Sequence, residues 1–82
     1  MSKYLAEVIR LMAVHNRLKS IRHKHEMNQT EFAALIGIAH DQYNRYERNK
    51  RQPTLEIALK ISEKLGMPVN DIFFLADEQG AP

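Results

Sequence analysis

Residues 28–37 hold the pattern that most limits how this chain can fold. Asn28 is followed three positions later by Glu31, the spacing at which a capping side chain and a carboxylate satisfy free amides at a helix start. Phe32, Leu35 and Ile36 supply an apolar face, with small Ala33 beside them. Gly37 then stands where the helix should stop, because a left-handed backbone costs glycine little. The same punctuation recurs along the chain. A third helix is expected over about 40–48, with Tyr43 and Tyr46 inward and Ile38 packing from the turn. Asn49 can take its left-handed stop, and Pro53 prevents continuation. Thr54 caps a fourth helix with Leu55, Ala58, Ile61 and Leu65 inward, closed by Gly66 and followed by Pro68. Asn70 caps a short fifth helix containing Ile72 and Phe73. No alternating strand pattern, repeat or low-complexity segment is evident.

The N-terminal part reads as one long helix over 3–25, capped by Ser2. Tyr4, Val8, Leu11, Val14, Leu18, Ile21 and His25 step by three or four, and Asn16 is an alternative starting point for a separate helix. Residues 4–14 carry a second apolar row, Leu5, Ile9 and Met12, so that stretch needs cover on more than one face. The expected organisation is therefore an N-terminal helical extension at 1–15, a domain at 16–75 and a flexible tail at 76–82. With 82 residues there is room for one domain with a thin core. The chain has no cysteine, which excludes disulfides and thiolate metal sites. No apolar run approaches the ~20 residues of a membrane span, and no signal-peptide pattern is read at the start. A cytoplasmic protein is the expectation.

The net charge of +2 conceals an uneven distribution. Residues 16–51 carry eight Lys and Arg against four Asp and Glu, whereas residues 52–82 carry two against five. A basic middle and an acidic end suit one face to a polyanion. Two helices joined by a short glycine turn, the second with polar residues outward, form the helix-turn-helix arrangement. The run Gln29-Thr30-Glu31-Phe32-Ala33-Ala34-Leu35-Ile36-Gly37-Ile38, followed by Tyr43-Asn44-Arg45-Tyr46-Glu47-Arg48-Asn49-Lys50-Arg51-Gln52-Pro53, resembles the phage repressor and Cro type of helix-turn-helix domain, the XRE family. The likeness continues through Ile61, Leu65-Gly66 and Asp71-Ile72-Phe73 and covers about residues 17–75.

The resemblance implies an all-α, five-helix, lambda-repressor-like domain that binds double-stranded DNA and regulates transcription, usually as a repressor. It places His40, Asp41, Gln42 and Arg45 at base-reading positions on a helix that enters the major groove. Arginine can donate two bonds to guanine and glutamine can pair with adenine. Asp41, four residues before Arg45, either accepts from cytosine or aims the arginine. Asn28, Gln29, Asn44, Arg48, Lys50 and Arg51 are the phosphate-contact candidates, Gln29 because it opens a helix whose free amides favour an anion. Arg22 and Glu47 are implied to pair between the first and third helices, a structural role. Two departures stand out: Ala39, where the family often has Ser or Thr as a cap, and acidic Asp41 at a reading position.

Other chemistries find little support. His23 and His25 are two apart and so lie on different helix faces, unlike the i,i+4 pairs that hold zinc. No nucleophile motif or phosphate loop is present, so no enzyme and no cofactor are expected. Two rivals remain: an antitoxin that binds DNA and also a toxin, and a protein-interaction module that kept the fold without DNA binding. RNA binding lacks an aromatic platform. A homodimer is expected, because one helix reads only a few base pairs and two half-sites need two copies. Residues 4–14 are the first candidate for its interface, with folding back over the fourth and fifth helices as the alternative; the end near Phe74 and Leu75 is the second candidate surface.

Overall fold

The computed structural model describes residues 13–76. The elements are β1 (Val14–Asn16), α1 (Leu18–Lys24), α2 (Gln29–Ile36), α3 (His40–Glu47), α4 (Leu55–Leu65), a single 3-10 turn (Val69–Asp71) and β2 (Phe73–Leu75). Asn28 accepts from the Glu31 amide at 2.8 Å and Glu31 accepts from the Asn28 amide at 3.0 Å, so the capping box forms in full. Thr54 caps α4 through the Ile57 amide. Ala39 opens α3 with no side-chain cap.

The four described helices close in the same way. A left-handed residue stands one or two positions past each end: Glu26 (φ 56), Gly37 (φ 75), Asn49 (φ 58) and Gly66 (φ 65). Each amide there bonds three residues back, and the next amide reaches five residues back, as in Met67 N to Ser62 O and Ile38 N to Ala33 O. This double bond satisfies carbonyls that a helix end otherwise leaves open. The chain can then leave each helix at a sharp angle, which is what short helices need to stack around one centre.

That centre is Leu18, Ile21, Phe32, Ala33, Ile36, Tyr43, Tyr46, Ile61 and Ile72, all buried. Phe32 meets Tyr43 edge to face, with ring centroids 5.5 Å apart. Ile38 packs from the turn, partly buried. Two expected core residues lie outside it: Leu35 is 41% exposed and Leu55 is 73% exposed. On α2 the inward set is Phe32, Ala33 and Ile36, and the 100° step per residue carries Leu35 onto a flank.

Several sequence expectations are corrected here. The single helix over 3–25 is not what residues 13–25 form, because residues 14–16 are a strand and α1 starts only at Leu18; the part over 3–12 lies outside the described residues. The expected fifth helix is absent. Asn70 sits inside the 3-10 turn and does not cap it, and Phe73 begins a strand. β1 and β2 pair antiparallel, with Val14 opposite Leu75, His15 opposite Phe74 and Asn16 opposite Phe73. The described fold is thus four α-helices closed by a small sheet. Three-residue strands are too short to show period-two alternation, and each takes its conformation from a partner far away in sequence. Val14 and His15, expected in an extension, belong to the domain's sheet, and Ala76, expected in the tail, donates from its amide to the Ala13 carbonyl at 3.2 Å. The rest of the tail, 77–82, lies outside the described residues. Arg17 lies over the Phe74 ring at 4.2 Å, and the His15 ring stacks on the same phenyl.

One polar cluster fixes how α3 sits on the other helices. Glu47 is only 4% exposed and Arg22 12%. Arg22 donates to both Glu47 oxygens at 2.9 Å and reaches the Met27 carbonyl at 3.1 Å. The Tyr43 hydroxyl donates to the Arg22-bonded Oε2, and Gln29 donates to Oε1 at 3.2 Å. Four donors thus fill the two carboxylate oxygens. Burial by itself raises the Glu47 carboxyl, but the hydrogen bonds from Arg22, Tyr43 and Gln29, with the Arg22 charge, outweigh it and hold the group at about 2. Burial, then the bond to Glu47, pushes the Tyr43 hydroxyl far above its ordinary value, so it stays a donor.

Two outcomes follow for stability. Gly37→Ala should lower the unfolding free energy by about 1–2 kcal/mol in urea, although a Cβ there would meet nothing within 4 Å, because the cost is the left-handed backbone. Glu47 should also make stability fall in acid. Its folded carboxyl titrates at about 2 against an ordinary 4.5, so the unfolded chain takes up the proton first. The stabilisation is complete above the ordinary value and is lost as pH falls toward the folded one, roughly 3 kcal/mol in all. Melting curves of wild type and Glu47→Gln should converge between those two pH values; a gap that stays constant would show that Glu47 is not the titrating group.

Candidate nucleic-acid interface

The outward side of α3 is polar along its whole length. His40, Asp41, Arg45 and Arg48 are exposed, and Gln42 and Asn44 are half-buried. Eight helical residues span about 12 Å, so His40 and Arg48 stand at opposite ends of this face. The face is wired from behind into the Glu47 cluster. Gln29, while donating to Glu47, accepts from Asn44 at 3.0 Å and faces the His40 ring nitrogen at 3.4 Å. Gln29, Asn44 and His40 are therefore brought together. A single carboxamide carries order from the buried ion pair to two outward side chains.

The other reading candidates form a second group. Gln42 donates to the Tyr46 hydroxyl at 3.1 Å and accepts from Arg45 at 3.3 Å. Arg45 lies 4.0 Å from the Asp41 carboxylate, with both side chains more than half exposed. That contact orients the arginine more than it stabilises the helix, since exposed pairs of this kind contribute only a few tenths of a kcal/mol. Tyr46 was expected only as core, and the i,i+4 spacing from Gln42 is the signal for its second role. The ring is buried and its hydroxyl fixes a side chain on the outward face of α3.

The phosphate candidates divide by how firmly they are held. Asn28 uses its side-chain oxygen in the capping box, which leaves its NH2 outward. The amides of Gln29 and Thr30 open α2 and have no intrahelical acceptor. Arg48, Lys50 and Arg51 are exposed beyond the other end of α3 and form no ion pair among the described residues. Gln52, not singled out from sequence, follows them directly. Among the described residues no group of three His, Asp or Glu side chains could hold a metal ion, and no helix is long and apolar enough to cross a membrane.

Comparison with known proteins points the same way as the geometry. The helix-turn-helix family model matches residues 18–72, from the start of α1 to the residue before β2. An uncharacterized HTH-type transcriptional regulator of Methanocaldococcus jannaschii is 31% identical over 64 residues, spanning 78% of this chain and 97% of that protein. The cryptic phage CTXphi transcriptional repressor RstR of Vibrio cholerae is 28% identical, over 70% of this chain and 51% of its own length. The antitoxin PezA of Streptococcus pneumoniae is 30% identical over 72% of this chain and 37% of its own length. The chain therefore spans nearly all of the first relative, about half of the second and about a third of the third. The capping box, the left-handed Gly37 turn and the α2–α3 pair fall inside the matched region, and on that evidence the chain belongs to the phage repressor and Cro type, or XRE, family of helix-turn-helix proteins.

Proposed function

We propose that this protein is a sequence-specific DNA-binding transcriptional regulator that acts as a repressor from the cytoplasm. The observation that carries the reading is the outward row His40, Asp41, Gln42 and Arg45 on a helix locked from behind by Glu47 and Gln29. A major groove about 12 Å wide admits such a helix. Arg45 donates two bonds to a guanine once it leaves Gln42 and Asp41, and Gln42 pairs with an adjacent adenine. Asn28, Gln29, Asn44, Arg48, Lys50 and Arg51 hold the register through phosphates. Arg22 and Glu47 do not touch DNA; they keep α3 in place. Repression follows from occupancy of the site, and the likeness to a phage repressor supports it. No cofactor enters the scheme.

The protein acts as a homodimer on two half-sites about one helical turn apart. Its interface includes residues 4–14, of which 4–12 lie outside the described residues. An apolar groove supports an interface on that side: Val14 lines it together with Leu55, Phe73 and exposed Leu75. A second reading, an antitoxin that binds both DNA and a toxin, is favoured by one observation, the likeness to PezA. A toxin reading frame beside this gene, and a stable complex between the two products, would select it.

Arg45→Ala should weaken binding to the preferred site by about 1–3 kcal/mol and relax the preference at one base pair, whereas Lys50→Ala should weaken all sequences about equally. Titration against sites selected from a random DNA pool reads both; an unchanged site preference in Arg45→Ala would remove α3 from the groove. In sedimentation, the full chain should be dimeric at micromolar concentration and a shortened chain starting at Ala13, which keeps β1, should be monomeric. A monomeric full chain at high micromolar concentration, or a dimer indifferent to the loss of residues 1–12, rules out the assigned interface.

A further inference from the structure

The loop from α3 to α4 carries Lys50 and Arg51, and residues 48–52 are all exposed. It buries no side chain of its own, yet both of its ends are held. At the first end, Asn49 is left-handed and its amide bonds to the Tyr46 carbonyl at 3.0 Å, while the Lys50 amide bonds to the Arg45 carbonyl at 2.8 Å. At the second end, the Gln52 carboxamide nitrogen donates to the Val14 carbonyl at 3.0 Å and to Asn49 Oδ1 at 2.9 Å. A carboxamide has two hydrogens, and both are used. The two cations sit between these fixed points.

The Val14 carbonyl is available for a reason that lies in the sheet register. Ladder bonds run between Ala13 and Ala76 and between Arg17 and Ile72. Antiparallel pairs alternate between bonded and non-bonded, so Val14 turns its carbonyl away from β2, toward Gln52. Two residues along the same strand, Asn16 donates to the Tyr46 carbonyl in the last turn of α3 at 2.8 Å. The N-terminal strand therefore grips the end of the reading helix at one point and the loop beyond it at another.

We infer that Gln52 is a positioning residue for DNA binding, which holds the α3–α4 loop so that Lys50 and Arg51 meet the phosphate backbone without Gln52 itself touching DNA. This rests on the DNA-binding reading above. A loop released from Val14 and Asn49 must be ordered again each time the protein binds, at a cost in conformational entropy. Base preference is independent of this brace, because Gln42 and Arg45 are oriented by Tyr46 and Asp41 within α3.

Gln52→Met tests it, since methionine matches glutamine in length and donates no hydrogen bond. The variant should bind both its preferred site and unrelated duplex about five-fold more weakly. The slope of log affinity against log salt should become shallower by roughly one, the loss of one phosphate contact. The thermal midpoint should stay within about 2 °C of wild type, as for an exposed residue, and the preferred sequence should not change. In the free protein, amide exchange at Lys50 and Arg51 should quicken. Wild-type affinity and slope in Gln52→Met overturn the inference, and so does an altered site preference or a large loss of thermal stability, either of which would place the effect in α3 or the core. A wild-type chain without salt-dependent binding to duplex DNA overturns the DNA-binding reading as well, so the two failures are distinguishable.

Discussion

The Glu47 carboxylate is the group on which the arrangement of the helices depends. It stands in the final turn of α3 and receives donors from α1 through Arg22, from the start of α2 through Gln29, and from its own helix through Tyr43. Such a cluster contributes little net stability over an apolar replacement, because desolvating the charges offsets their attraction. Its value is geometric. Hydrophobic contacts around Phe32, Tyr43 and Ile61 are non-directional and would tolerate a rotation or slide of α3. Four directed bonds to one carboxylate do not, and removing any donor leaves a buried charge partly unmatched.

The same carboxylate links interior order to the surface. Gln29 has one end on Glu47 and the other on Asn44 and His40. Asn44 and His40 on α3 are thus held by a chain of contacts that begins at a guanidinium only 12% exposed. Side chains ordered in this way have little conformational entropy left to lose in any further contact.

Helices α2, α3 and α4 were legible because their signals are local. Asn28 with Glu31, Thr54, Gly37, Asn49 and Gly66 each act within a few residues, and each does in the structure what its spacing implies. Glu26 closes α1 in the left-handed region with no residue-type signal, so that stop was unreadable. The strands were missed for a different reason. Val14–Asn16 continues an apolar step of three and four, and Phe73 looks like the end of a helix; only pairing across the molecule makes either one extended. On the candidate face, residue types and helical spacing point to His40, Asp41, Gln42 and Arg45. The second role of Tyr46 and the brace at Gln52 depend on which atoms meet, Gln52 through a carbonyl thirty-eight positions away.

The small sheet has a topological consequence. Because the Ala76 amide bonds to the Ala13 carbonyl, the first and last described residues lie side by side, and the domain is a closed loop with a single attachment point. The two points at which further polypeptide can join the described fold are therefore adjacent. A domain with adjacent ends can be inserted into a longer chain, or duplicated in tandem, with little disturbance to its interior. Such a unit is compatible with chains of different length, and the likeness spans nearly all of one relative and about a third of another.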